Sequence, residues 1–579
     1  MKNLLLRFKY PLGAGLGALA LLLLGSLLIV QSPSLLERTM SSKIWQHLQW
    51  LLLIPPIVAA TLLGSRWLHS LTPAIAVKPQ VQQATPNEQE EREYVLEVIG
   101  LGVTLDKYRQ DNLWDALQKG NAYASIREQD SQKYPWSSRE RSGISGSRGG
   151  DALENGAKYI PIYFGVPVFN AESPIYNSRM QDRSDSPTIG LAAGAAPSGL
   201  HWHLFVAGPR RFSESPDRIL EDVFAFFDAN PDVPYIVLNS EDSMPTRNLY
   251  RPDGSPRLVK DGRYIPEMPD ASALFVLARR ERIEAVRKFA YDDAPPEDSV
   301  DDLNTYGVAR RLYLAYDELM RAVPHPRKKE DPTAFTQRQP SIAEWLPAAA
   351  QFAQRSDIRG TGSFSMVDRL KHKTYHPPKD WQPTPWFPVP FNKEQLAQLD
   401  RLPTFGFIHR PTFVRMKDEH GKPLTRRDQR EQALQAGWQQ ALHSLPDADR
   451  PTAPARLVAA TGGNQAQLLA LHKTLLKHAE NGGTELDSGN TAQWIDTDQR
   501  LGNTGAATLF VQMAIGVMGS YRDGGVSAVV NLRNPEEATI VLVSPPSDEK
   551  RRTQKHPHGG DVLRHYVTPA IDPANYPSN

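Results

Sequence analysis

The chain has 579 residues, enough for two or three domains, each with a core of its own. Its 66 basic and 65 acidic side chains nearly cancel, so no global field recruits nucleic acid, which is not expected as a partner. Cysteine is absent, which excludes disulfides, thiolate metal sites and thiol nucleophiles and leaves the compartment open.

The amino terminus carries Lys2, Arg7 and Lys9 ahead of twenty uncharged residues at 11–30. As a helix they would cross a hydrocarbon layer of about 30 Å. A second apolar run, 48–69, has Pro55-Pro56 inside it and Trp50 and Trp67 near its ends, where interfacial anchors sit. The pair reads as a transmembrane helical hairpin over 1–70, holding the chain in the bacterial inner membrane with the rest facing the cytoplasm. A cleaved signal peptide and a single span with a periplasmic body are the competing readings. A polar linker, 71–93, follows.

An N-terminal α/β domain is expected over 94–323. "YVLEVIGLGVTL" reads as a buried strand and "NLWDALQKG" as a short helix closed by Gly120. The Ser/Arg/Gly-rich passage 130–150 reads as a surface loop. "LHWHLFVAG", "SPDRILEDVFAFFDAN" and "VPYIVLNSED" form a strand–helix–strand crossover unit, with Ser215 or Asp217 placed to cap the helix, which implies parallel strands. Residues 324–403 are rich in Pro and Trp, and Trp381, Trp386, Phe387 and Phe391 argue for an ordered connection packed on a domain surface.

A C-terminal α/β domain is expected over 404–546, and a surface tail over 547–579. "TFGFIHRPTFV" and "ARLVAAT" read as strands; "REQALQAGWQQALHSL" and "NQAQLLALHKTLLKHAENGG" read as helices. The two regions run in a similar order, each with a Trp-bearing helix (Trp114, Trp438), as an internal duplication would. Gly502-Asn503-Thr504-Gly505 leads into a helix apolar on nearly every side, and "GVSAVVNLR" and "ATIVLVSPP" form an antiparallel pair.

Candidate chemistry is sparse. Gly100 and Gly102 lack the third glycine of a dinucleotide fingerprint. His201 and His203 share one face of a strand, but no acidic or histidine cluster of metal-site spacing joins them, and His556 and His558 lie in a charged tail. "NSEDSMPTR" is the most functional-group-dense stretch, and it follows a parallel strand, where ligand and partner sites commonly lie. Ser240, Glu241, Asp242, Ser243 and Arg247 are its candidate partner-contact residues; turn and cap formation is the plainer alternative. Ser243 as a nucleophile has no base nominated by the sequence.

"VIGLGVTLDKYRQDNLWDALQKG" resembles the opening of β-ketoacyl synthases, "RLGNTGAATLFVQMAIGVMGSYRDGG" their late glycine-rich loop, and "GGVSAVVNLR" their final turn and strand. The resemblance implies an internally duplicated, two-half thiolase-like α/β fold behind the membrane hairpin. That family works through a cysteine and two histidines. Here there is no cysteine, and Asn503, which cannot act as a general base near neutral pH, stands where histidine is expected. The loop Gly502, Asn503, Thr504 and Gly505 is therefore expected to be structural, with no catalytic, cofactor or metal site.

The anchor, "ALFVLARRERIEAVRKFA" and "PTFVRM" also resemble the type VI secretion lipase adaptors. That resemblance implies a non-catalytic adaptor or chaperone that binds a phospholipase effector in the cytoplasm and loads it onto a VgrG spike, the inner membrane being a further partner. A membrane-anchored lipid-processing enzyme using Ser243 and a structural envelope protein are the alternatives.

Overall fold

Strand Val95–Leu105 (β1) opens the fold, followed by helices Gln110–Gln118 (α1) and Ser138–Ala157 (α2). The computed structural model describes residues 95–161, 165–177, 200, 203–293, 308–322, 339–359, 378 and 380–566. The N-terminal half continues through Gly165–Glu172 (β2), Leu204–Phe212 (β3), Ile219–Ala229 (α3), Tyr235–Asp242 (β4), Met244–Tyr250 (α4) and Ala271–Ala278 (β5). The C-terminal half comprises Gly406–His409 (β6), Thr412–Arg415 (β7), Arg427–Leu442 (α5), Arg456–Ala460 (β8), Gln465–Glu480 (α6), Trp494–Asp496 (β9), Thr508–Asp523 (α7), Ser527–Asn531 (β10) and Glu537–Ser544 (β11).

The strands join one sheet in the order β9-β8-β10-β11-β6-β1-β5-β4-β2-β3. With β7 set aside, because it lies off this path and pairs with β11, the five strands of each half, numbered within that half, run third-second-fourth-fifth-first. In each, the fifth strand is antiparallel to both neighbours and the remaining pairs are parallel. The duplication is thus visible in topology where residue identity had hidden it. The halves meet where β1 pairs antiparallel with β6, Val95 opposite His409 and Val98 opposite Gly406.

Strand alternation sorts the C-terminal half into two faces. Leu457, Ala459, Ala528, Val530, Ile540 and Leu542 pack with Trp438 and Leu471 of α5 and α6. Val458, Val529, Val541 and Val543 point the other way, into the main core with α7. Helix α7 is buried from Thr508 through Tyr521 and packs against strands of both halves and against α1. A helix apolar all round needs cover on every side, and two sheet faces supply it.

The sequence reading and the structure part company at several elements. The crossover strands β3 and β4 are parallel but not adjacent, because β2 lies between them. "TFGFIHRPTFV" is two strands broken at Arg410-Pro411. Residues 138–150, within the passage 130–150 expected as a surface loop, form with 151–157 the helix α2 despite five internal glycines. Ser137 caps it by accepting from the Glu140 N–H at 3.2 Å, and Arg109 holds Asp151 at 2.9 Å in a buried ion pair. Tertiary packing overrides local propensity here. The tail also departs from expectation: His556, Val562 and Leu563 are buried, and His556 stacks on Tyr566 with ring centroids 4.0 Å apart. In the Pro/Trp-rich connection, Trp386 is buried against Phe226, with its indole N–H donating to Asn230 at 3.0 Å.

Residues 1–70, where the hairpin was expected, lie outside the described residues. Among the described residues no helix is long and apolar enough to cross a membrane. The all-apolar helix α7 has 16 residues, about 24 Å, short of the ~30 Å hydrocarbon layer, and both its sides are occupied. The transmembrane hairpin, the inner membrane as partner and the inner-membrane location are corrected accordingly: each needs a spanning helix that the described residues do not supply.

Gly100 and Gly102 serve the packing of α2 on the sheet. A Cβ at Gly102 would lie 1.8 Å from the Ala152 carbonyl oxygen, and one at Gly100 would lie 2.2 Å from that of Gly156. Both obstacles are backbone, which cannot yield as a side chain would. Gly102→Ala is expected to lower unfolding free energy by about 3 kcal/mol or more, or to prevent folding, read by urea denaturation.

Candidate functional site

The two segments singled out in sequence, Ser240–Arg247 and Gly502–Gly505, meet in space. Strand β4 ends at Asp242, and Ser243 caps α4 by accepting from the Thr246 N–H at 3.2 Å. Asp242 is buried and takes a forked pair from Arg247, with Nη2 at 2.7 Å and Nε at 3.1 Å. The same carboxylate accepts from the Ala506 N–H at 2.8 Å, just beyond the glycine loop. Arg247 also donates to Glu214 at 2.7 Å. Gly505 has φ +57°, and a Cβ there would fall 2.1 Å from Asp242 Oδ2 and 2.6 Å from Met268 Cε.

Asn503 is an acceptor, not a base: its Oδ1 takes the Gly505 N–H at 2.9 Å and Arg533 Nη2 at 2.6 Å. Arg533 pairs with Asp498 at 2.8 Å, and Thr504 Oγ1 lies 3.0 Å from Thr508 Oγ1. Nearby, buried Asp217 does not cap α3, since no side-chain cap bond is made there. It reaches across to Asn531, which donates to it at 2.9 Å, and burial raises its pKa to about 6. Carboxyl ends of parallel strands from both halves are thus stitched together by ion pairs and amides.

The remaining candidates divide sharply. Ser240 is buried and donates to the Ala171 carbonyl at 3.0 Å. Ser243 is buried, and its hydroxyl faces Thr246 Oγ1 at 3.0 Å, which is no base. Glu241 is partly exposed. It lines a cavity of about 450 Å³ at the ends of β4 and β5, walled by α2 and α4, with Thr104, Ser145, Arg148, Asn248 and Ser272 around it. Glu241 sits beside Glu172 in the parallel ladder. Arg210 and Tyr250 satisfy Glu172, at 2.9 and 3.1 Å, and leave Glu241 with no hydrogen-bond or ion-pair partner among the described residues. Burial, then the neighbouring charges of Glu172 and Asp242, push its carboxyl up to about 7.

Among the described residues no group of three or more His, Cys, Asp or Glu could hold a metal ion. His201 lies outside them. His203 is buried, with Nε2 3.3 Å from the Ile160 carbonyl and its ring stacked on Phe205. His556 and His558 belong to an aromatic cluster with Tyr159 and Tyr566 rather than to an open tail. The cavity itself escaped sequence reading because one wall is α2, which had looked like a loop.

Two family models match the chain, one to each half. Residues 94–261 match the N-terminal part of the type VI lipase adapter protein Tla3, and residues 405–545 match its C-terminal part, together more than half of the chain. The chain belongs to the Tla3 family of type VI lipase adapters. Among solved structures, it resembles the ishigamide ketosynthase/chain length factor at 10% identity and a TM-score of 0.38, over 78% of this chain and 100% of that one. It also resembles human mitochondrial 3-ketoacyl-CoA thiolase at 10% identity and a TM-score of 0.33, over 79% of this chain and 100% of that one. At such scores these likenesses carry no argument, and the duplication in this Tla3-family chain rests on its own strand order. By that family match the chain is a non-catalytic adapter.

Two outcomes follow. Arg247→Met strands the buried Asp242 carboxylate and is expected to cost about 3–5 kcal/mol in chemical denaturation. For Glu241, the folded pKa of about 7 lies above the ordinary 4.5, so the unfolded chain loses its proton first and stability falls as pH rises between those values. Glu241→Gln removes that fall. It is expected to exceed the parent by on the order of 2 kcal/mol near pH 8 and by little near pH 4.5.

Proposed function

We propose that this chain is a non-catalytic adaptor that binds a phospholipase effector and hands it to the VgrG spike of a type VI secretion apparatus. The observation that carries the reading is the match of both halves to the two parts of one lipase-adapter family. The site geometry supports it. Asn503, at the position where the resemblance to β-ketoacyl synthases implies histidine, is engaged by the Gly505 N–H and by Arg533, and Ser243 has no base beside it among the described residues.

The partner surface we favour lies around β4 and α4. Of the Ser240–Arg247 candidates, Ser240, Asp242 and Ser243 are structural, whereas Glu241 and Arg247 retain exposed area and Leu249 projects outward.

The test is direct capture of a purified phospholipase effector from the same genome by the full chain. Saturable binding is expected, unchanged by Ser243→Ala, and deletion of the adaptor is expected to abolish export of that effector alone. Hydrolysis of ester or thioester substrates by the purified chain, lost in Ser243→Ala, would favour an enzyme instead.

A further inference from the structure

The cavity beside β4 has the makings of a side-chain receptor. Its charges are nearly all committed internally. Arg148 is held by Asp270 at 2.5 Å and by Asp106 at 3.4 Å, and Asp242 by Arg247. Arg251 turns onto the carbonyl oxygens of Asn248 and Ser255. What is left over is one carboxylate, Glu241. Facing it in the β4–β5 ladder is Ser272, a residue 3% exposed that lines the same cavity and whose hydroxyl has no hydrogen-bond partner among the described residues. A buried hydroxyl without a partner is costly, and it marks a place where a ligand's polar group completes the site.

The rim differs in character. Leu249 at 50% exposure lines the mouth. Tyr176, 54% exposed, is tied to the same helix by its N–H on the Tyr250 carbonyl at 2.8 Å, and Leu258, 44% exposed, is held by its N–H on Asn248 Oδ1 at 2.9 Å. Leu249 at the mouth, with Tyr176 and Leu258 tied to the same helix, supplies exposed apolar surface of the kind that excludes water around an anchoring pocket at protein interfaces.

We propose that this cavity receives a lysine or arginine side chain of the bound effector, its cation on Glu241 and Ser272 and its aliphatic stem against Leu249. The inference rests on the adaptor reading and names the chemistry of its contact. A volume of about 450 Å³ accommodates one long side chain with room for water. A cation supplies what the site lacks, because it neutralises a carboxylate crowded by Glu172 and gives the Ser272 hydroxyl oxygen a donor. A carboxylate entering instead would add a third acid beside Glu241 and Glu172.

The first measurement titrates the full chain with end-blocked tripeptides, Gly-Arg-Gly, Gly-Lys-Gly, Gly-Gln-Gly and Gly-Glu-Gly, by saturation-transfer NMR near pH 7.5. The arginine and lysine peptides are expected to bind at least tenfold more tightly than the glutamine peptide. Glu241→Gln should erase that preference and Ser272→Ala should weaken it severalfold, with thermal unfolding confirming that both variants fold. Equal binding of the arginine and glutamine peptides, a preference for the glutamate peptide, or an unchanged preference in Glu241→Gln would overturn the proposal. The second measurement captures the purified phospholipase effector with the parent and with Glu241→Gln, where a tenfold or greater loss is expected. If both capture it equally, the cavity assignment falls and the adaptor reading stands. If the parent captures no phospholipase yet prefers the cationic peptides, the adaptor reading falls and the cation site stands.

Discussion

Helix Thr508–Asp523 has no polar face, and the rest of the fold is arranged to cover it. One side is taken by β8, β10 and β11 of its own half, another by α1, β1 and β5 of the other half. Close approach is secured by small residues. A Cβ at Gly519 would lie 2.8 Å from both Trp114 and Arg456, so the α1 tryptophan sits directly on the helix backbone. The few polar atoms along it are paired inside the core, as with Ser520 Oγ, 2.7 Å from Ser527 Oγ and 3.2 Å from the Val543 carbonyl. Neither half could leave this helix half-covered without exposing a broad apolar surface. The two halves are therefore obliged to fold around a shared element.

That obligation sets the chemistry at the helix's start. Its first turn emerges where the carboxyl ends of parallel strands from both halves converge, and the chain must be held there without blocking the packing. Gly505 makes the turn at positive φ with the Asp242 carboxylate pressed against it, and the Ala506 N–H closes onto that carboxylate. Asn503 and Arg533 fix the outer edge. Every one of these groups is used for holding. The loop Gly502–Gly505 is a clasp between the two halves, held by the hydrogen bonds of Asn503, Ala506 and Arg533.

The legible and illegible parts of the sequence divide along physical lines. Strands with uninterrupted apolar runs, such as "VIGLGVTL" in β1 and "YIVL" in β4, were readable because burial on both faces leaves a plain signature. Helix α7 was readable for the same reason. Helix α2 was not, because its stability comes from Gly100, Gly102 and Gly156 admitting it to the sheet and from Arg109, Arg148 and their buried acids. Those are relations between segments far apart in the chain, and glycine and serine in a single stretch speak for a loop. The same blindness hid the cavity: Glu241 was picked out for its density of polar neighbours, but its partner Ser272 stands 31 positions later in a strand that looked wholly structural. The topology of the duplication was likewise out of reach, since strand order depends on which edges meet.

The position of the unsatisfied acid is informative in its own right. Glu172 and Glu241 stand side by side at the ends of adjacent parallel strands, a placement that costs free energy whenever both are ionised. The fold supplies Arg210 and Tyr250 to one and, among the described residues, no hydrogen bond or ion pair to the other, although it pairs almost every other buried acid of this region with an arginine. A chain that satisfies Asp106, Asp151, Asp242 and Asp270 from within has the means to satisfy a fifth carboxylate. Leaving it open on the one wall that faces a cavity places the missing charge outside the molecule. The clasp between the halves, rigid and fully bonded, then acts as the support that holds Glu241 at a fixed distance from Ser272, so that an incoming cation meets a preformed pair of acceptors and loses little to reorganisation of the site.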